Sequence, residues 1–232
     1  MKVSFIVTTH HSSELRKNGR LLIISYLKSL RENCEYPFTV YIIDNGSSEL
    51  LGGDLIKDDT IYIFVKDQFK TGITGAWNRG IINAINDGSD IIINTNDDII
   101  FNDSINNLIK IIDTHEHKDV SIYGPTTNVG GCPGPNNQER TIMGDRVLEV
   151  TQTSSSSWNG GHGINGFFNA FTKECYHNFQ EEGNLYSTKK DVMIVGQESE
   201  MQIRLGKKGL RGFIIEQCMV YHEKIRGWQK IK

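Results

Sequence analysis

Apolar positions change their period repeatedly over the first hundred residues. "KVSFIVTT" is a β-branched run of strand length, and in the "NGRLLIISYLKSLREN" that follows, Leu22, Tyr26, Leu27 and Leu30 recur at helical spacing. "FTVYIID" reads as a second strand, stopped by the turn residues of "NGSS"; "TIYIFVK" and "DIIINTN" are two more. Between these last two lies "GITGAWNRGIINAINDG", where Ala76, Trp77, Gly80, Ile81, Ala84 and Ile85 share one face of a helix. Continuous Ile/Val strands alternating with helices predict an α/β fold with a mostly parallel central sheet and helices on both faces. In open sheets of this kind ligands bind beyond the carboxyl ends of the strands. Those ends carry Thr9 and His10, then Asp44, then Asp97 and Asp98.

From about residue 124 the pattern changes. The stretch from "GPTTNVGG" to "GFFNAF" is rich in Gly, Pro, Ser and Asn, and only "RVLEVTQ" and "GFFNAF" resemble strands. A loop-rich stretch of this length within a compact domain is usually mobile or functional, and it reads as the wall and lid of a substrate cleft.

Composition narrows the function classes. A chain of 232 residues with 38% hydrophobic and 23% charged content is long enough for one substantial core. Its formal net charge of -3 leaves no cationic field for a nucleic-acid backbone, so nucleic acid is excluded as a partner. The first apolar run, "VSFIV", is too short for a signal-peptide core or a membrane span, which predicts a soluble, cytoplasmic protein with no integral membrane segment. Cys34, Cys132, Cys175 and Cys218 are scattered without metal or redox spacing and read as free thiols.

Adjacent carboxylates at the end of an apolar strand repel one another unless a cation relieves them. Asp97 and Asp98 therefore suggest a divalent ion shared with substrate phosphates. A second reading has Asp98 or Asp103 simply capping a helix that begins near residue 103. Asp44, ahead of "NGSS", also fits a turn former.

Several segments, in order, resemble glycosyltransferase family 2: "VSFIVTTHHSS", "YIIDNGSS", "TGITGAWNRGIINAI", "NTNDDIIF", "GQESEMQIRLGKKGLR" and "CMVYHEK". The resemblance covers nearly the whole chain. It implies a GT-A fold in a single domain over 1–232, with residues 1–123 binding a nucleotide sugar and 124–232 the acceptor. It implies an inverting transferase that uses a UDP-sugar with Mn2+ or Mg2+ and acts on a hydroxyl-bearing acceptor such as a glycan. Thr9 and His10 would border the nucleobase, Asp44 would meet the uracil or ribose, and Asn78 would lie close to the donor. Asp97 would lie beside the ribose or donor sugar, Asp98 would hold the metal, and His222 would complete the metal and diphosphate site. Read from residues alone, His222 after "MVY" fits a core histidine equally.

The acidic helix can be read physically. Glu198 and Glu200 are two residues apart and point to different sides, and Glu200 precedes Arg204 by four, the favourable order for an ion pair. Glu198 shares its side with Met201, Gln202 and Leu205, so it faces inward, where partial burial raises a carboxyl toward the range useful to a general base. It also aligns with the family's catalytic base, although Gln197-Glu198 stands where the family has Glu-Asp. Trp158 and the glycines of "WNGGHGING", Gly166 among them, suggest an acceptor platform. The rivals are a sugar-phosphate nucleotidyltransferase, which usually has a Gly-rich basic loop where this chain has "TTHHSS", and a non-catalytic carbohydrate-binding module. No G-x-G-x-x-G follows a strand, which disfavours a dinucleotide enzyme.

Overall fold

A computed structural model describes residues 1–12, 16–48, 53–65, 68–129, 138–153, 163–188 and 197–223. Strands β1 (Val3–Thr9), β2 (Phe38–Asp44), β3 (Thr60–Phe64) and β4 (Ile91–Asn96) lie side by side in the order β3-β2-β1-β4, all parallel. Helix α1 (Gly19–Asn33) joins the first two strands and α2 (Gln68–Asn86) the last two. The helix α2 is interrupted at Gly72, whose φ of 57° is backbone that residues with a side chain rarely adopt.

Strand alternation sorts the core into two layers. Val3, Phe5, Val7, Ile91 and Ile93 pack on α1 and on α3 (Ile105–Thr114). Ile6, Tyr41, Ile43 and Ile92 pack on the opposite side against α2, α4 (Lys173–Phe179) and α5 (Gln197–Gly206). Gly80 brings α2 onto the sheet so closely that a Cβ there would stand 2.4 Å from an Ile6 methyl.

Past β4 the sheet continues with mixed direction. β8 (Phe168–Thr172) pairs antiparallel with β4, β6 (Ser121–Thr127) antiparallel with β8, and β9 (Arg211–His222) parallel with β6. β9 also takes β7 (Val147–Glu149) and the two-residue β5 (Ile99–Ile100), both antiparallel. One sheet thus runs through both halves of the chain.

The second half is tied down by buried polar side chains. Glu216 on β9 is gripped by Arg146, at 2.7 and 2.8 Å, and by Arg140 at 3.2 Å. Gln138 donates to Pro125 O at 2.7 Å and accepts from Asn165 N at 2.6 Å. Gln202 bonds both the N–H and the C=O of Ile164 at 2.7 Å. The two glutamines fix the chain that leads to Gly166. Cys34, Cys175 and Cys218 are unpaired, and burial pushes the Cys34 thiol up to about 11; Cys132 lies outside the described residues.

Candidate active site

The predicted residues gather along the carboxyl ends of β1, β2 and β4. Asn45 N donates to Thr9 O at 2.8 Å and His11 N to Ser47 Oγ at 2.8 Å, so the chain leaving β1 lies against the turn leaving β2. His10 is buried between them, its Nδ1 3.2 Å from Asn45 O, and burial lowers its pKa. Gly19 makes this packing possible, because a Cβ there would stand 2.2 Å from His10 O.

Asp44 is fully buried, and both of its oxygens are occupied. Ser47 N donates to one at 2.9 Å and the Tyr62 hydroxyl to the other. The turn-former reading of its sequence context is therefore realised. Asp97 is also turned inward: Thr9 Oγ1 donates to one oxygen at 2.6 Å and the Arg16 guanidinium to the other. Its carboxyl is 1% exposed, so burial pushes it up, and the Arg16 charge is the largest opposing influence. Composition and pattern gave no sign of Arg16. The one available signal was the pair of adjacent carboxylates, which demanded a cation; the chain supplies one itself.

Asp98 points elsewhere. Ile99 pairs with His222 across β5 and β9, and Glu223 N donates to Asp98 O at 2.9 Å, which brings the two side chains together. His222 Nε2 stands 3.4 Å from Asp98 Oδ1. The imidazole stacks on Phe167 with ring centres 4.7 Å apart. Its main chain is held by Asn128, whose Oδ1 accepts from His222 N at 2.7 Å.

One carboxylate and one imidazole are a reasonable pair of protein ligands for a divalent ion, and the nitrogen suits a first-row transition metal better than Mg2+. Among the described residues no group of three or more His, Cys, Asp or Glu could hold a metal alone. Phosphate oxygens and water would have to complete the shell, as they commonly do for such ions.

The acidic helix of the sequence is α5. Met201, Gln202 and Leu205 are buried and Arg204 Nε donates to Glu200 at 2.8 Å, which is the division of faces read from the sequence. Glu198 sits in the first turn, and burial raises its pKa, opposed only by its own backbone N–H. A Cβ at Gly166 would stand 3.0 Å from the Glu198 carboxyl, so the missing side chain is what gives that group its space.

Asn78 is bonded to the chain at 185–186. Its side-chain oxygen accepts from Leu185 N and Tyr186 N at 3.2 and 3.0 Å, and its NH2 donates to Tyr186 O at 2.8 Å. It clamps the 185–186 backbone: its oxygen accepts two backbone N–H groups and one of its two N–H donors is given to Tyr186 O. Tyr186 in turn packs at a tilt against the buried Trp77 with centres 4.8 Å apart, and Asn94 Nδ2 lies 3.5 Å from its hydroxyl. Trp158 lies outside the described residues.

A parallel sheet continued by antiparallel strands, with an aspartate at the end of β4 and an acidic helix later in the chain, is the GT-A architecture of nucleotide-sugar enzymes. The model of "Glycosyl transferase family 2" matches residues 4–173, and the chain belongs to this family. Solved structures agree on the fold. TarS of S. aureus superposes with a TM-score of 0.64 at 16% identity, over 96% of this chain and 36% of that one. TarS 1-349 in complex with UDP-GlcNAc gives 0.64 at 15% identity, over 95% and 58%. GalNAc-T7 with UDP, GalNAc and Mn2+ gives 0.67 at 13%, over 99% and 45%. The chain spans less than two thirds of each of these structures. No curated protein matches it by sequence. Among the described residues no helix is long and apolar enough to cross a membrane.

Proposed function

We propose that the chain is an inverting glycosyltransferase that moves a sugar from a nucleoside diphosphate sugar, a UDP-sugar, to an acceptor hydroxyl such as that of a glycan. The observation that carries this reading is the juxtaposition of Asp98 and His222 at the end of β4, fixed by strand pairing, and α5 contributes Glu198, a carboxyl raised by burial. Family membership and the UDP, UDP-GlcNAc and Mn2+ named for structures of the same fold support it.

In this reading the nucleoside rests against His10 and the Asp44–Asn45 turn. Asp98 and His222 would hold Mn2+ or Mg2+. The bound ion supplies charge neutralisation for the departing diphosphate. Glu198 takes the proton of the acceptor hydroxyl as that oxygen bonds to the anomeric carbon; the bond from that carbon to the phosphate oxygen breaks and UDP leaves. A carboxyl raised by burial is a stronger base than one in water, which is the property the step needs. Glu198 reaches one methylene further than the aspartate usual in the family, and Gly166 leaves room for it. Trp158 and Gly166 belong to the acceptor side.

The test is release of UDP from UDP-sugars with Mn2+, with and without a panel of sugar acceptors. Metal-dependent release that rises with acceptor supports a transferase. Nucleotide binding without release supports a binding module, and failure to bind any nucleotide with any divalent ion removes both.

A further inference from the structure

Adjacent carboxylates at one strand end have opposite fates here, and the difference has a cause in the chain. In β4 the side chain of Thr95 faces α1, where its hydroxyl meets the Tyr26 hydroxyl at 2.8 Å. Asp97 continues on that side and Asp98 turns toward β9, so the two point apart. Arg16, from the connection between β1 and α1, reaches back under the sheet's end to Asp97. The side chains are 8% and 1% exposed. The connection is folded onto itself at that point, with Ser12 and Arg16 exchanging backbone hydrogen bonds at 3.1 and 3.3 Å and Gly19 N donating to Arg16 O at 3.2 Å.

A buried pair of this kind is poor evidence for stability, since desolvating both charges costs about as much as their attraction returns. Arg16 Nε adds to that cost, because it is buried with no hydrogen-bond partner among the described residues. The pair fixes geometry more than it adds stability. Its Arg end holds the segment that begins with His10. Its Asp end lies one residue from Asp98.

We propose that Arg16 and Asp97 are a positioning pair for the donor: Asp97 is neutralised from within the chain and touches neither donor nor cation, and the pair fastens the β1–α1 connection to the end of β4. Asp98, beside His222, is then the carboxylate at the end of β4 that would meet a cation. The inference rests on the donor reading above, and it changes the part that the family resemblance implies for Asp97, from ligand to support.

Four proteins test it: wild type, Arg16→Met, Asp97→Asn and the double variant. Each single change strands one buried charge, whereas the double change removes both. The single variants should raise KM for the UDP-sugar by about ten- to a hundred-fold, the range for groups that orient a ligand site, with smaller changes in kcat. The double variant should recover most of the donor affinity and most of the melting temperature lost by either.

If Asp97 contacts donor or metal directly, Asp97→Asn and the double variant will lose donor binding equally, and the proposal fails. Lowered melting temperatures with unchanged KM would mean a structural pair only, which also overturns it. Should the single variants not fold, donor affinity of the double variant within a few-fold of wild type supports the proposal, and its loss overturns it. A wild-type protein that binds no nucleotide sinks the donor reading itself; tight binding by wild type and both single variants sinks the pair alone.

Discussion

The strand ends and helix α5 treat their carboxylates in contrasting ways. At the ends of β1, β2 and β4, Asp44 and Asp97 have every oxygen occupied by a hydroxyl, a backbone N–H or a guanidinium from the chain. On α5, Glu198 is half-buried, and burial outweighs the support its own backbone N–H gives to its charge. Satisfied carboxylates build walls. A carboxylate kept short of partners is stressed in its ionised form, and proton transfer relieves that stress. Asp98 stands between the two cases, paired with an imidazole that is itself held by strand register and by Phe167.

The largest effect that separates the two regions is expected at Asp98. Asp98→Ala should abolish Mn2+-dependent UDP binding, measured by calorimetry, while leaving the fold intact by circular dichroism. His222→Ala should weaken the same binding by about ten- to a hundred-fold. Activity should be higher with Mn2+ than with Mg2+, because the imidazole donor favours the transition metal.

Glu198→Gln sharpens the contrast from the other side. It should keep Mn2+-dependent donor binding and lose transfer by about a hundred- to ten-thousand-fold, the usual range for a general base. Full activity in that variant would remove Glu198 from the mechanism. Gly166→Ala should act in the same direction with a milder loss, since a methyl group must displace the Glu198 carboxyl.

The pH dependence follows from the raised pKa of Glu198. The base must be ionised, so the rate should fall on the acid side at a pH above the ordinary carboxylate range. Stability has the corresponding sign. A carboxyl raised by folding binds its proton more tightly in the native state, so ionising it costs the native state stability as pH rises through the ordinary carboxylate range to the raised value. Glu198→Gln should therefore melt higher than wild type at pH 8, and the gap should close near pH 4. Equal melting at pH 8 would mean that the group is not under stress.

The first half of the fold was legible because each element carries its own period. Leu22, Tyr26, Leu27 and Leu30 are buried on α1 as their spacing required, and the isoleucines of β4 fill both layers. Trp77 is core. The second half was less legible. The two residues of β5 make a strand only because β9 lies beside them, and the 12-residue β9 includes Glu216 and Gln217, which break the apolar pattern. The strap between β6 and β8 depends on Gln138, Gln202 and Glu216, polar residues buried by long-range partners that local spacing does not reveal.

The candidate site divides in the same way. The adjacency of Asp97 and Asp98 announced a cation, and the inward face of Glu198 followed from helix geometry. The hydrogen bonds of Asn78 to Tyr186 and the reach of Arg16 to Asp97 depend on how distant segments meet. A lone Arg in a connection has no period to betray it.

The reading turns on whether Asp98 and His222 share a divalent ion with a donor's diphosphate. Pulsed electron paramagnetic resonance of Mn2+ bound with UDP tests this most directly. The account predicts an imidazole nitrogen coupling that disappears in His222→Ala, and Mn2+ affinity that UDP strengthens in wild type but not in Asp98→Ala. A spectrum without nitrogen coupling, together with Mn2+ binding indifferent to UDP and to Asp98, would contradict it.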